Sequence, residues 1–272
     1  MKAHPDFTGK KIMITGAAGG LGRALSVAFG KKGGTILALD LDVQQLSSLK
    51  EFLAEKEIHC TAYPCDISDK EQCQRTVEEI VKEHATIDIV IHNAGISHRS
   101  PFKETKIDVL EQIMNVNVNG TIALTHFTLN ALLETQGTYV VVSSVAGFAP
   151  LMGRTGYAAS KHALHGFFET LRVEVEDAGV NVLMVCPSFM KTGMEHHAMA
   201  GDGKQVTRKK ETVGTVLSPE YVAGKIVDGV QSRRKRLYIS PVAKMSLLVH
   251  RVMPSLYSRM MKNKMRGEFK SE

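Results

Sequence analysis

Short apolar runs and longer stretches of helical period take turns along this chain. "KIMITGA" (11–17) is apolar and β-rich, and "GLGRALSVAFGKKG" (20–33) carries apolar positions at helical spacing before closing on glycine. "TILALD" (35–40), "HCTAYPCD" (59–66), "IDIVIHNAG" (87–95), "GTYVVVSS" (137–144), "NVLMVCPS" (181–188) and "RLYIS" (236–240) repeat the strand pattern. Between them, 43–57, 68–85, a long region from about Asp108 to Glu134, 156–178 and 218–232 read as helices. Ser68 or Asp69 ahead of Glu71 supplies a cap for the helix at 68–85, and Asp42 for the one at 43–57. Strands that are apolar throughout and separated by helices predict a parallel sheet covered on both faces. With right-handed crossovers this is an α/β, doubly wound Rossmann-type fold of seven strands. No repeat or low-complexity linker interrupts it. Residues 1–240 read as a single domain, and 241–272 as an extension.

Composition narrows the class. The chain has 272 residues, 43% hydrophobic and 23% charged, as expected of a soluble globular protein. A net charge of +6 is mildly basic, but no cationic patch interleaved with aromatics is present and Trp is absent, so nucleic acid is not an expected partner. "RRKR" (233–236) reads as a solvated turn before the last strand. Cys60, Cys65, Cys73 and Cys186 form no metal-ligand pattern, so no metal is expected; Cys60 and Cys186 read as core residues. The beginning lacks the apolar stretch of a signal peptide, and no run is long enough to span a bilayer. A reducing cytoplasm is the expected location.

Three stretches carry chemistry. "TGAAGGLG" (15–22) lies at the first strand-to-helix turn, where Gly16, Gly20 and Gly22, with Leu21 between the last two, would let backbone approach a pyrophosphate at a helix N-terminus. Asp40 ends the second strand; a carboxylate there accepts from the ribose hydroxyls of an adenosine and repels a 2'-phosphate. The glycine turn offers no cation to such a phosphate, and Arg23 is placed to face away, so NAD(H) is expected over NADP(H). "YAASK" (157–161) sets Tyr157 and Lys161 one helical turn apart, where an ammonium can lower the pKa of a phenol.

Together with "CDIS" (65–68), "HNAG" (92–95), "NVNG" (117–120) and "SSVAG" (143–147), in this order and spacing, the chain resembles the short-chain dehydrogenase/reductase family over roughly residues 8–240. The resemblance implies a reaction and a role for each residue. Tyr157 would be the general acid/base, and Ser144 would hydrogen-bond the substrate oxygen. Lys161 would hold the nicotinamide ribose and lower the tyrosine's pKa, and Asn117 would support a water in a proton relay. Asp66 and Ile67 would meet the adenine, while Asn93, Ala94 and Gly95 would line the cofactor. In "CPSFMKTGM" (186–194), Pro187 and Thr192 fit the family's pattern for the carboxamide contact, but Ser188 stands where a glycine is usual. His92 departs from the usual Asn and reads as structural.

The expected reaction is hydride transfer between NAD(H) and a lipophilic secondary alcohol or ketone, steroid-like, retinoid-like or long-chain. Phe148, Leu151, Met152, Phe189, Met190 and Met194 could flank the pocket, with apolar core packing the competing reading for about half of them, and 191–215 reads as a mobile lid. His196 and His197 within it are weak evidence for metal. Reduction of a 3-oxoacyl thioester is one alternative, and a non-catalytic dinucleotide sensor another. The tail "PVAKMSLLVHRVMPSLYSRMMKNKMRGEF" (241–269) reads as a basic amphipathic helix broken near Pro254. Packing on a subunit of a homo-oligomer, or on the chain's own body, is favoured over a membrane surface.

Overall fold

A computed structural model of the chain describes residues 6–193, 198–206 and 211–269. The first half runs β1 (Lys11–Thr15), α1 (Gly20–Gly30), β2 (Thr35–Asp40), α2 (Val43–Ala54), β3 (Cys60–Pro64), α3 (Lys70–His84) and β4 (Ile89–His92). It continues with α4 (Ile107–Met114), α5 (Thr121–Thr135), β5 (Thr138–Val142), α6 (Thr155–Val175), β6 (Asn181–Cys186), α7 (Pro219–Gln231) and β7 (Arg236–Tyr238). Two further helices, α8 (Pro241–Val252) and α9 (Pro254–Met265), follow.

The strands form one parallel sheet in the order β3-β2-β1-β4-β5-β6-β7. Alternate side chains of each strand enter opposite cores. Ile12 and Ile14 face α1, α2 and α7 through Leu25, Phe29, Leu49 and Ile226. Met13 and Val90 face α3, α5 and α6 through Ile80, Leu124 and Phe168. Strands buried on both sides must be apolar throughout, which is the pattern read from the sequence. The strand order reverses between β1 and β4, so the loops leaving the C-terminal ends of these strands part and leave a crevice.

Side-chain caps fix where the helices begin. Asp42 accepts from Gln45 N, Asp69 from Gln72 N, and Ser218 from Tyr221 N. Asp69, not Ser68, caps α3. The region expected to be helical from about 108 to 134 is interrupted: Asn115–Gly120 widens into a π-helical turn between α4 and α5. Such wide turns re-aim side chains that a regular helix would point elsewhere.

The "RRKR" turn is tied to α6. Arg236 pairs with Glu169 at 2.8 Å, and the Arg233 guanidinium donates to Gly179 O at 2.5 Å. All four cysteines are free, and Cys186 is buried as expected. Cys60 is only half-buried, because β3 is an edge strand and one side of it lacks cover. The tail breaks at Met253, between α8 and α9, and returns to the body, where Tyr257, Met265 and Glu268 are buried. No helix among the described residues is long and apolar enough to cross a membrane.

Candidate active site

One cavity of about 960 Å³ runs through the crevice, lined at one end by the glycine turn and at the other by residues of α6, α8 and α9. Gly16 has φ +62°, and a Cβ on it would stand 2.9 Å from Ala94 Cα, so no other residue fits without displacing the β4 loop. A Cβ on Gly20 would lie 2.6 Å from the Thr192 carbonyl oxygen, which places Thr192 against the glycine turn. Asn93 fastens the turn to the sheet. Its amide nitrogen donates to Thr15 O at 3.0 Å and Gly16 O at 2.9 Å. Thr15 Oγ1 accepts from the Asn93 and Ala94 backbone amides.

Asp40 sits beside this turn, with one carboxylate oxygen accepting from Ala18 N at 2.9 Å and the other from Asp42 N at 3.2 Å. The neighbouring lining residues Leu41, Asp42 and Gln45 bring no cation. Arg23 stacks over the Phe52 ring at 4.9 Å and is not part of the cavity wall. Asp66 turns its carboxylate onto Ser68 N and Oγ, and with Ile67 lines the same end.

The other end gathers the remaining residues singled out in the sequence. Ser144 leaves β5 and accepts from Ala146 N at 3.1 Å, so it caps a short 3₁₀ turn as well as facing the cavity. The wide turn after α4 aims Asn117 at the loop after β4. Its Oδ1 accepts from Ile96 N at 2.8 Å, and its Nδ2 donates to Ile96 O and Ser160 Oγ. This is a structural tether, closing a loop next to Gly95. Ser144, Tyr157 and Lys161 line the wall together with Gly95, Pro187 and Thr192.

Tyr157 and Lys161 lie close together, with the ammonium hydrogen-bonded to the end of β5. The Lys161 ammonium donates to Val142 O at 2.9 Å and lies 5.7 Å from the Tyr157 ring centre. Burial holds its pKa down to about 8. Burial pushes the Tyr157 phenol up, while the Ser144 hydroxyl and then the Arg154 guanidinium work to lower it. Arg154, which the sequence did not single out, is thus a further cation near the phenol. Arg154 precedes α6, and its guanidinium is held by Met152 O at 2.9 Å and Glu268 Oε1 at 2.6 Å. Arg99 reaches the same carboxylate oxygen at 3.5 Å. The Arg154 and Glu268 side chains are 4% and 1% exposed. A carboxylate from the tail thus braces a cation beside the phenol. The only sequence signal was a lone acidic residue in a basic segment.

Of the residues expected to flank the pocket, Leu151, Phe189 and Met190 do so. Met152 is not on the wall, and Phe148 packs edge-on against His165 and Tyr238 instead. Met194, His196 and His197 lie outside the described residues, as does part of the expected lid. No cluster able to hold a metal is found among the described residues. The Ser188 hydroxyl, in place of the usual glycine, lines the cavity, and its oxygen is buried with no partner among the described residues. His92 is structural: it stacks on Tyr139, with ring centres 5.7 Å apart, and meets Thr125 Oγ1 at 2.9 Å. Thr125 spends its own proton on Thr121 O, so the His92 Nε2–H is the donor. Burial drives its pKa down to about 3.

Comparison with known proteins agrees with this arrangement. The family model described as short chain dehydrogenase matches residues 10–202. Dehydrogenase/reductase SDR family member 7B of Bos taurus is 32% identical over 269 residues, covering 96% of this chain and 83% of that protein. Its Danio rerio counterpart is 30% identical over 276 residues, covering 98% and 89%. Among solved structures, a short-chain dehydrogenase/reductase from Burkholderia phymatum in complex with NAD superposes with a TM-score of 0.82 at 22% identity, covering 93% of this chain and 96% of that one. An NAD+-bound xylitol dehydrogenase gives 0.76 at 22% identity, covering 86% and 98%. The chain belongs to the short-chain dehydrogenase family. It is accordingly an oxidoreductase with the family's Rossmann-type fold.

Proposed function

We propose that the chain transfers a hydride between NAD(H) and a lipophilic secondary alcohol or ketone. The observation that carries this reading is one cavity with the glycine turn and Asp40 at one end and Ser144, Tyr157 and Lys161 at the other. The residues fit a dinucleotide: the glycine turn at the start of α1 lines the cavity, and Asp40 offers acceptors where a ribose diol would lie. Gly16, Gly20, Leu21, Asp66, Ile67, Asn93, Ala94, Gly95, Pro187 and Thr192 would hold it, with Gly22 behind the turn. When bound, it supplies the hydride that the chain itself lacks.

The chain's own residues account for the proton. Tyr157 Oη donates it to the substrate oxygen in reduction and takes it back in oxidation. Ser144 donates a hydrogen bond to the same oxygen and stabilises the charge that develops on it. Lys161, buried and cationic, holds positive charge beneath the site, and Arg154 favours the phenolate left behind. Asn117 keeps the Ile96 loop and Ser160 in register, consistent with a role in a relay through that loop. Leu151, Phe189, Met190, Val242 and Met261 on the wall favour an apolar substrate body over a sugar.

A ketone panel read by NADH oxidation tests the proposal, with a 3-oxoacyl thioester included. Turnover of apolar ketones by NADH supports it. Turnover of the thioester alone would move the substrate assignment, and absence of any turnover with intact NADH binding would favour a sensor. A homo-oligomer is the accompanying expectation, which light scattering tests.

A further inference from the structure

The two helices after β7 present an unusual pair of surfaces. Their inner sides carry Val242, Ser246, Tyr257 and Met261 into the cavity wall. A wall helix of this kind normally turns a polar face outward. Here the outer side carries Met245, Leu248 and Val252 at i, i+3 and i+7, then Met253, Leu256 and Met260. These side chains are 43–66% exposed, three of them on α8 and three from its end into α9. Exposed apolar residues scattered singly need no explanation, but six at helical spacing on two consecutive helices do.

Charge identifies what covers it. Residues 241–269 contain Lys244, Arg251, Arg259, Lys262, Lys264 and Arg266, all exposed. The segment's one carboxylate, Glu268, is buried against Arg154 and Arg99 and offers nothing to the outside. The segment itself therefore offers the outside only apolar side chains and cations; a carboxylate of another segment, Glu211, lies near Gly267. A second copy meeting it about a two-fold axis would set these cations against their own kind. An anionic bilayer satisfies both features at once: the stripe enters the acyl boundary, and the cations stay among the headgroups.

We propose that the outer face of α8 and α9 is a docking surface for anionic lipid bilayers, so that the wall of the substrate cavity rests on the membrane. No step of the proposed chemistry enters this inference, and the test below reads binding alone. The full chain is mixed with vesicles of phosphatidylcholine, or of phosphatidylcholine with 30 mol% phosphatidylserine, and bound protein is separated by flotation. Strong binding is expected only to the phosphatidylserine vesicles, falling at least tenfold between 0.1 and 0.5 M salt as the charges are screened. Leu248→Glu combined with Val252→Glu should reduce binding at least tenfold while the melting temperature holds. Arg251→Gln with Arg259→Gln, which leaves the apolar stripe intact, should weaken binding and flatten its salt dependence. Absence of binding at low salt overturns the proposal, as does binding that neither pair of substitutions changes. Light scattering on the same proteins covers the alternative occupant: if Leu248→Glu/Val252→Glu lowers the mass of an oligomer, the face joins copies of the chain and the lipid assignment fails.

Discussion

Removing the Glu268 carboxylate should cost far more than its place in a basic tail suggests. Glu268→Gln keeps the shape of the side chain and removes the carboxylate that Arg154 and Arg99 share. Charge centres about 4 Å apart interact by roughly 4 kcal/mol at an effective dielectric of ~20. With side chains 4% and 1% exposed, solvent does little to screen the Arg154–Glu268 pair. Breaking a buried pair from one side typically costs about 3–5 kcal/mol, and the second guanidinium places this case toward the upper part of that range. Arg154→Met should also destabilise, and the double variant by less than the sum, leaving a coupling of about 3 kcal/mol in a urea-unfolding cycle. The two single changes should move catalysis in opposite directions. Without Glu268, Arg154 acts on Tyr157 unopposed, so the pH at which the phenol titrates falls; without Arg154 it rises. The pH profile of kcat/KM reads this. A coupling below about 0.5 kcal/mol, typical of exposed pairs, would refute the reasoning, and so would profiles that shift in the same direction.

Tyr157→Phe should lower turnover by about 10²–10⁴-fold with NADH binding intact by fluorescence titration; a loss under tenfold would remove Tyr157 as the acid/base. NADH should be preferred to NADPH by about 30–150-fold in kcat/KM, corresponding to about 2–3 kcal/mol of repulsion at Asp40, and Asp40→Ala should narrow that ratio; a wild-type preference for NADPH would mean that a cation reaches the 2'-phosphate. Lys161, held down to about 8 by burial, binds its proton less tightly folded than unfolded. The ligand-free protein should therefore gain stability as pH rises from about 8 toward 10, by up to roughly 3 kcal/mol. The raised Tyr157 pKa reverses that trend above about pH 10. Lys161→Met should flatten the rise, and equal slopes for both proteins in chemical unfolding would contradict it.

The sheet was legible because its inner strands are buried on both faces and have little choice but to be apolar. The caps were legible where a short polar side chain meets an amide three residues on, as at Asp42 and Asp69. What escaped depends on contacts between distant segments. Nothing local in "NVNG" announces a widened turn, and the partners that Asn117 finds, Ile96 and Ser160, come from other elements. Lys161 reads as a partner of Tyr157 from their helical spacing alone, but the carbonyl it finds belongs to Val142 on β5. The pairing of Glu268 with Arg154 spans 114 residues, and a tail read by its average charge hides the one acidic side chain that matters. Which of the apolar residues miss the cavity, Phe148 and Met152, was illegible for a related reason: in the loop after β5, apolar character does not say which side chains meet the cavity and which pack elsewhere.

The clip made by Asn93 has a consequence for how the protein matures. The glycine turn takes its shape from an amide 77 and 78 positions further along the chain. Contacts at that separation form late, because the intervening loop entropy must first be overcome. A nascent or proteolysed chain ending before β4 would hold every glycine of the nucleotide motif but keep only its contacts to the end of β2, at Leu39 and Asp40, and lack this clip. Dinucleotide affinity in this protein is thus a report on whether the middle of the sheet has closed, and small molecules that bind the turn should act as folding aids for destabilised variants.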